Sequence, residues 1–255
     1  MDRYRDEAAC IAALAELRWP NGFICARCAG RLAYQLAARP RVFECADCGR
    51  QHSVTAGTVF HRTRTPLRKW FAAAWLIGQD KRGVSALFLA RELALRYDTA
   101  WLMAHKLRHG LSERPEYPLD GLIEIDESYY GGRGKPESRG RGLTDPNKSL
   151  MAIAVETVPA SPRRGEGIKK SHFVAGARII TDGLMKTWLN GTFHGVSAKH
   201  LPRYAREWNY RFNRRQRIAN LTDFLLRRAA TGPTITYSQL VHGAQINGAL
   251  PALTG

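Results

Sequence analysis

The sequence contains no apolar run long enough to cross a bilayer. Its most apolar stretch, Trp70 to Ile77, is far short of the roughly 20 residues a spanning helix needs. The opening Met1-Asp2-Arg3-Tyr4-Arg5-Asp6-Glu7 has no signal-peptide profile. Cysteine is scarce, with five in 255 residues. No internal repeat is visible. Acidic residues are also few: 22 Asp and Glu face 39 Lys and Arg, a net charge of +17 and a pI near 10.2. These absences exclude a membrane partner and point to the cytoplasm, at the nucleoid. The charge excess favours a polyanion, because each Lys or Arg set against a phosphate releases a condensed counterion.

What is present fits two or three domains of ordinary apolar content, 44%. Residues 1–19 read as a short amphipathic helix stopped at Trp19-Pro20. Thr65-Pro66 opens a helix with Pro at its first position, running to about Gly78. Ser85 caps another, to about Leu95, and Asp98 or Thr99 caps a third, to about His109. Pro115 and Pro118 mark a linker. Beyond it, Leu122 to Asp126, Leu150 to Val158 and Arg178 to Thr181 read as strands separated by Gly-, Ser- and Arg-rich loops. From Ser197 to about Ala230 the pattern is helical and rich in arginine.

Four of the cysteines form two pairs, Cys25/Cys28 and Cys45/Cys48, with 16 residues between them. Two thiolates two residues apart fit one knuckle on a metal ion, and two knuckles complete a tetrahedral zinc site. Four cysteines leave no open ligand position, so the zinc would be structural. The alternative is four reduced, buried thiols. Gly30 and Gly49 follow the pairs, where a knuckle turn often needs positive φ. The ribbon's arginines Arg27, Arg31, Arg39, Arg41 and Arg50 are either phosphate contacts or solvated. Residues 84–109 read as helix, short turn and capped helix, a helix-turn-helix candidate with Lys106 and Arg108 late in the second helix. Many helical hairpins share that pattern.

The order of these parts resembles bacterial insertion-sequence transposases of the ISXO-like type. The resemblance lies in Gly57-Thr-Val-Phe-His61 with Thr65-Pro-Leu-Arg-Lys-Trp70, in Gly83-Val-Ser-Ala-Leu87, and in Ile125-Asp-Glu-Ser-Tyr-Tyr-Gly-Gly132. It continues through Thr181-Asp-Gly183, Lys186-Thr-Trp188, Gly191-Thr-Phe-His-Gly-Val-Ser197 and Tyr210-Arg-Phe-Asn-Arg-Arg215. It implies an α/β multi-domain chain: an N-terminal helix and zinc ribbon (1–60), a helix-turn-helix segment (61–114), an RNase H-like mixed α/β DDE domain (119–230) and a tail (231–255). It implies Mg²⁺- or Mn²⁺-dependent cleavage and strand transfer at the terminal inverted repeats of an insertion sequence, on double-stranded DNA, by a homo-oligomer. Asp126 and Asp182 would hold the metal, because hard oxygen ligands suit magnesium, and Lys186 would contact phosphate. Without the surrounding motifs, Asp126 is an ordinary strand end and Asp182 an ordinary Asp-Gly turn.

The chain departs from the family pattern. Thr181-Asp-Gly183 runs straight into Leu184-Met-Lys-Thr-Trp188, and Leu184 stands where the resemblance would put a third ligand. Segment 156–178 is short for the family, so the domain reads as internally deleted and its activity as impaired. Glu207 is either a substitute ligand or a helix-surface glutamate paired with Arg203 or Arg211. Arg211, Arg214 and Arg215 head an arginine-rich helix face interleaved with aromatics, suited either to the DNA backbone or to solvent. Three readings follow: a transposase, a non-catalytic DNA-binding remnant or repressor, and a zinc-ribbon module that binds protein. The last leaves the charge and the aspartate contexts unexplained.

Overall fold

A computed structural model describes residues 2–111, 122–131, 148–157, 173–174, 179–197, 199–213 and 221–242. The chain begins with a single 3-10 turn and α1 (Glu7–Arg18), where the Asp6 side chain accepts from Ala9 N. A meander follows, β1 (Ala33–Leu36), β2 (Arg39–Cys45) and β3 (Gln51–Ser53), antiparallel in that order. Three helices come next: α2 (Leu67–Gln79), α3 (Ala86–Glu92) and α4 (Tyr97–Gly110). A second antiparallel meander has β4 (Leu122–Gly131), β5 (Lys148–Thr157) and β6 (Phe173–Val174), with Asp126 opposite Ile153. The chain then turns helical in α5 (Ile179–Phe193), α6 (Leu201–Asn213), α7 (Leu221–Thr231) and α8 (Tyr237–His242).

The caps follow from local chemistry. Ser85 Oγ accepts from Phe88 N at the start of α3, as its residue type dictates. Pro66 is the N-cap of α2 rather than its first helical residue and offers no side-chain acceptor. The Glu7 carboxylate of α1 takes that role, accepting from Leu67 N at 3.0 Å and Arg68 N at 3.1 Å. Burial raises the Glu7 pKa, but those two amides and Arg41 outweigh it and hold the carboxyl below its ordinary range. The α4 helix starts at Tyr97, earlier than the Asp98 or Thr99 cap expected.

The main core gathers Ile11 and Leu14 of α1, Val54, Val59 and Phe60 after β3, Leu67, Trp70, Phe71 and Ile77 of α2, Met103 and Leu107 of α4, and Leu221, Leu225 and Leu226 of α7. The last group lies more than a hundred residues beyond the others, yet packs on α1 and α2. Two hydrogen bonds seal the junction: Val59 N donates to Ala229 O at 3.0 Å, and Tyr4 Oη donates to Asp223 Oδ1 at 3.1 Å. The α6–α7 part of the expected DDE segment therefore shares one core with the expected DNA-binding part. A smaller cluster joins Tyr130 of β4, Met185, Trp188 and Leu189 of α5, and Leu201 and Trp208 of α6.

Two expectations need correction. Residues 179–181 are helix, not strand: only Asp182-Gly183 separates Ile179-Ile180-Thr181 from the helix-forming Leu184-Met185-Lys186, and α5 extends back through them. Asp126 lies in mid-strand, because β4 continues to Gly131. Within the tail, α8 occupies Tyr237–His242.

Candidate metal centre and nucleic-acid interface

The two cysteine knuckles are built alike. Cys25 N donates to Gly30 O and Ala29 N to Cys25 O; Cys45 N donates to Arg50 O and Gly49 N to Cys45 O. Each turn needs one left-handed residue. Gly49 supplies it in the second knuckle at φ 67°, but Ala29, not Gly30, supplies it in the first, at φ 61°. A Cβ on Gly30 would meet the Asp47 carboxylate, which would have to swing aside.

The Sγ atoms of Cys25, Cys28, Cys45 and Cys48 lie within 4.8 Å of one another. The Cys25–Cys48 and Cys28–Cys45 pairs are both 3.6 Å apart. Thiolates at about 2.3 Å from a tetrahedral zinc sit roughly 3.8 Å apart, so the set fits that ion. Four thiolates this close repel each other without a cation among them. Burial pushes the Cys25 thiol up, yet amides of Cys28 and Arg27 and hydrogen bonds with His52 and Cys48 bring it well below the usual thiol range. His52, in β3, places Nε2 3.3 Å from Cys25 Sγ. Sequence reading passed over His52; its place four residues after Cys48 was the only signal.

The arginines expected at DNA are placed very differently. Arg108 is 1% exposed; its Nε donates to Glu207 Oε2 at 2.6 Å and its Nη2 to Val84 O at 3.0 Å. Its guanidinium also stacks 4.3 Å from the Tyr204 ring. Arg211 donates to Glu207 Oε1 at 2.8 Å and to the carbonyls of Ile77 and Asp80. Lys106 is buried and donates to His61 O at 3.3 Å. These three are corrected from DNA contacts to internal supports: Lys106 and Arg108 lie in the half of α4 that faces the core, and Arg211 of α6 is spent on Glu207 and the end of α2. Arg214 and Arg215 lie outside the described residues. Glu207 is fully buried between two guanidiniums: the expected pairing with Arg211 holds, the surface position does not. Burial raises its pKa, but Arg108 and Arg211 override that and lower it. A carboxylate so neutralised is a poor metal ligand.

The exposed parts of the α3–α4 hairpin include Leu87, Phe88 and Arg91 of α3 and, at the turn and the start of α4, Arg96, Tyr97 and Asp98. On the ribbon, Arg27, Arg31, Arg39 and Arg50 are exposed, while Arg41 pairs with Glu7 at 2.6 Å.

The expected catalytic residues fall on two touching elements. Asp126 and Tyr130 share strand parity in β4, and Asp182 and Lys186 are one helical turn apart in α5. The elements meet where Lys186 Nζ lies 5.3 Å from the centre of the Tyr130 ring. The side chains of Asp126 and Asp182 lie outside the described residues.

Comparison with known proteins completes the picture. Residues 5–51 match the transposase zinc-ribbon domain of the IS1595 type, and residues 181–213 match the ISXO2-like transposase domain. A protein of transposable element ISH50 from Halobacterium salinarum is 32% identical over 184 residues, covering 69% of this chain. The match takes in 60% of that relative's length. No solved structure matches the chain.

Proposed function

We propose that this chain, a relative of the ISXO2-like insertion-sequence transposases, binds double-stranded DNA at the terminal inverted repeats of an insertion sequence, with its metal-dependent cleavage and strand transfer impaired. One observation carries the reading. The zinc ribbon is matched through both cysteine pairs and its four sulfurs converge, whereas the transposase-domain match begins only at residue 181.

In this reading the ribbon and the exposed turn of the α3–α4 hairpin face DNA, the hairpin acting as a helix-turn-helix that presents the start of its second helix. Zinc closes the ribbon. Asp126 and Asp182 descend from the ligands of Mg²⁺ or Mn²⁺, and Lys186 from a phosphate contact. Two-metal chemistry needs its ligands held within about 0.5 Å of productive geometry. Here Asp182 sits inside a helix fused to the Lys186 segment, and Leu184 replaces an oxygen ligand. The protein works as a homo-oligomer on DNA at the nucleoid.

The test incubates the chain with Mg²⁺ or Mn²⁺ and DNA carrying the element's ends, measuring binding and joining together. Binding without joining is expected; robust strand transfer overturns the impairment. A non-catalytic repressor or remnant is the second reading, favoured by the two arginines that occupy Glu207. Repression of the element's own promoter, with no cleavage under any divalent ion, distinguishes it.

A further inference from the structure

The four sulfurs of the ribbon fill a tetrahedral ion, so a fifth donor has no position on it. His52 of β3 nevertheless places its Nε2 3.3 Å from Cys25 Sγ. A sulfur bound to zinc is a thiolate without a proton, so it can only accept a hydrogen bond. The nitrogen that faces it must then carry the hydrogen, which fixes Nε2 as the protonated position whether or not Nδ1 also holds a proton. Arg27 N meets the same sulfur at 3.4 Å. A thiolate that gives one lone pair to the metal keeps two, and these two donors answer them.

Packing holds the imidazole in that orientation. His52 stands opposite Phe43 in the β2–β3 register, on the same face of the sheet. Phe43 lies edge-to-face with Trp19, 5.3 Å between ring centres, Trp19 with Phe23 at 5.2 Å, and Phe23 with His52 at 5.1 Å. Four rings therefore link the end of α1, the approach to the first knuckle and the middle sheet strand to β3. Phe23 precedes Cys25 by two residues, so the ring that steers the imidazole and the sulfur that accepts from it sit on one short segment. On its other side His52 is two residues from Val54, which is buried in the main core.

We infer that His52 is a positioning residue of the zinc site: it donates Nε2–H to the Cys25 thiolate and thereby sets how tightly the ribbon keeps its metal. Hydrogen-bond partners of metal ligands are worth about 10–100-fold in affinity. The inference rests on zinc closing the ribbon and is independent of what the chain does to DNA.

The test uses the full-length chain loaded with zinc, and with Co²⁺ in its place as a coloured probe. Zinc affinity is measured by competition with a chelator in the parent and two variants. His52→Phe keeps a ring against Phe23 but has no donor, whereas the His52→Gln amide nitrogen reaches about as far as Nε2. His52→Phe should weaken zinc binding about 10–100-fold. It should also move the sulfur-to-cobalt charge-transfer band to lower energy, because a thiolate without its donor gives up an electron more easily. The ligand-field bands should stay tetrahedral, and His52→Gln should restore both affinity and band. A Phe variant with the parent's affinity and band overturns the inference. So does a loss of affinity common to both variants with the band unmoved, which is the mark of lost packing alone. Nitrogen NMR of the zinc-loaded parent needs no substitution: a proton on Nε2 is expected, and a bare Nε2 overturns the inference while the zinc site stands. A parent that takes up neither metal overturns the zinc reading of the ribbon together with this role for His52.

Discussion

Glu207 shows how one buried carboxylate can hold two elements in register. It takes Arg108 from α4 and Arg211 from its own helix, and Arg211 in turn reaches the carbonyls of Ile77 and Asp80 at the end of α2. Removing one partner of a buried ion pair leaves an uncompensated charge. Glu207→Gln should therefore destabilise the fold by about 3–5 kcal/mol, read as a lower denaturation midpoint. The sign of its pH dependence follows from its lowered pKa. Its stabilising contribution is full above the ordinary Glu range near 4.3 and is lost as pH falls below that range, through the depressed folded value. The variant should lack this acid-sensitive component.

The histidines also lose stability in acid, but by the opposite charge logic, since the fold favours their neutral form. Burial, then Arg108, His200 and Arg203, depress His105 to about 2; burial, then Arg206 and Arg203, depress His109 to about 4. Below the ordinary His value near 6.5 the unfolded chain takes up protons that the folded chain refuses, so stability declines with acidification. Between about pH 6 and 4.5 the slope should approach 1.4 kcal/mol per pH unit for each histidine. His105→Leu, which removes two unpartnered nitrogens from the interior, should flatten that slope by about half with little loss of stability at neutral pH. Stability measured against pH in parent and variant checks it.

At the scale of elements, the zinc ribbon was readable because its chemistry is local: spacing alone fixes which sulfurs can meet, and the geometry agrees. The first three long helices were also readable, since their apolar spacing and the Ser85 cap lie within the segment. What was not readable depends on distant partners. The N-cap of α2 is supplied by Glu7, sixty residues away. Arg108 looks solvent-bound in a basic helix until α6 arrives to bury it. Residues 179–181, β-branched enough to suggest a strand, follow the helix fused to them. Two outcomes belong to this scale. Cys48→Ser should abolish stoichiometric zinc in the purified chain and lower its melting temperature, because Val54, Val59 and Phe60 enter the core directly behind the ribbon. Gly78 is the contact point of α2 with α7, where a Cβ would meet Thr222 Oγ1 at 2.6 Å and its backbone N at 3.1 Å. Gly78→Ala should force the two helices apart and cost about 1–3 kcal/mol, measured by denaturant titration.

Over the whole molecule, the α7 helix closes a core begun by α1 and α2, so the two ends of the chain depend on each other. A chain ending after residue 111 would leave the apolar faces of α1, α2 and α4 uncovered. It should aggregate or melt without a cooperative transition, whereas the full chain melts α1, α2 and α7 together. Calorimetry, with light scattering on the truncated form, compares the two. Leu111 and Leu221 lie in the same cluster, so parts of one core stand about a hundred residues apart in the sequence. Closing such a separation depends only weakly on its length, about 0.6 kcal/mol for each doubling. Insertion or loss in the middle of this chain would therefore cost the shared core little, leaving both ends free to stay folded while the stretch between them drifts.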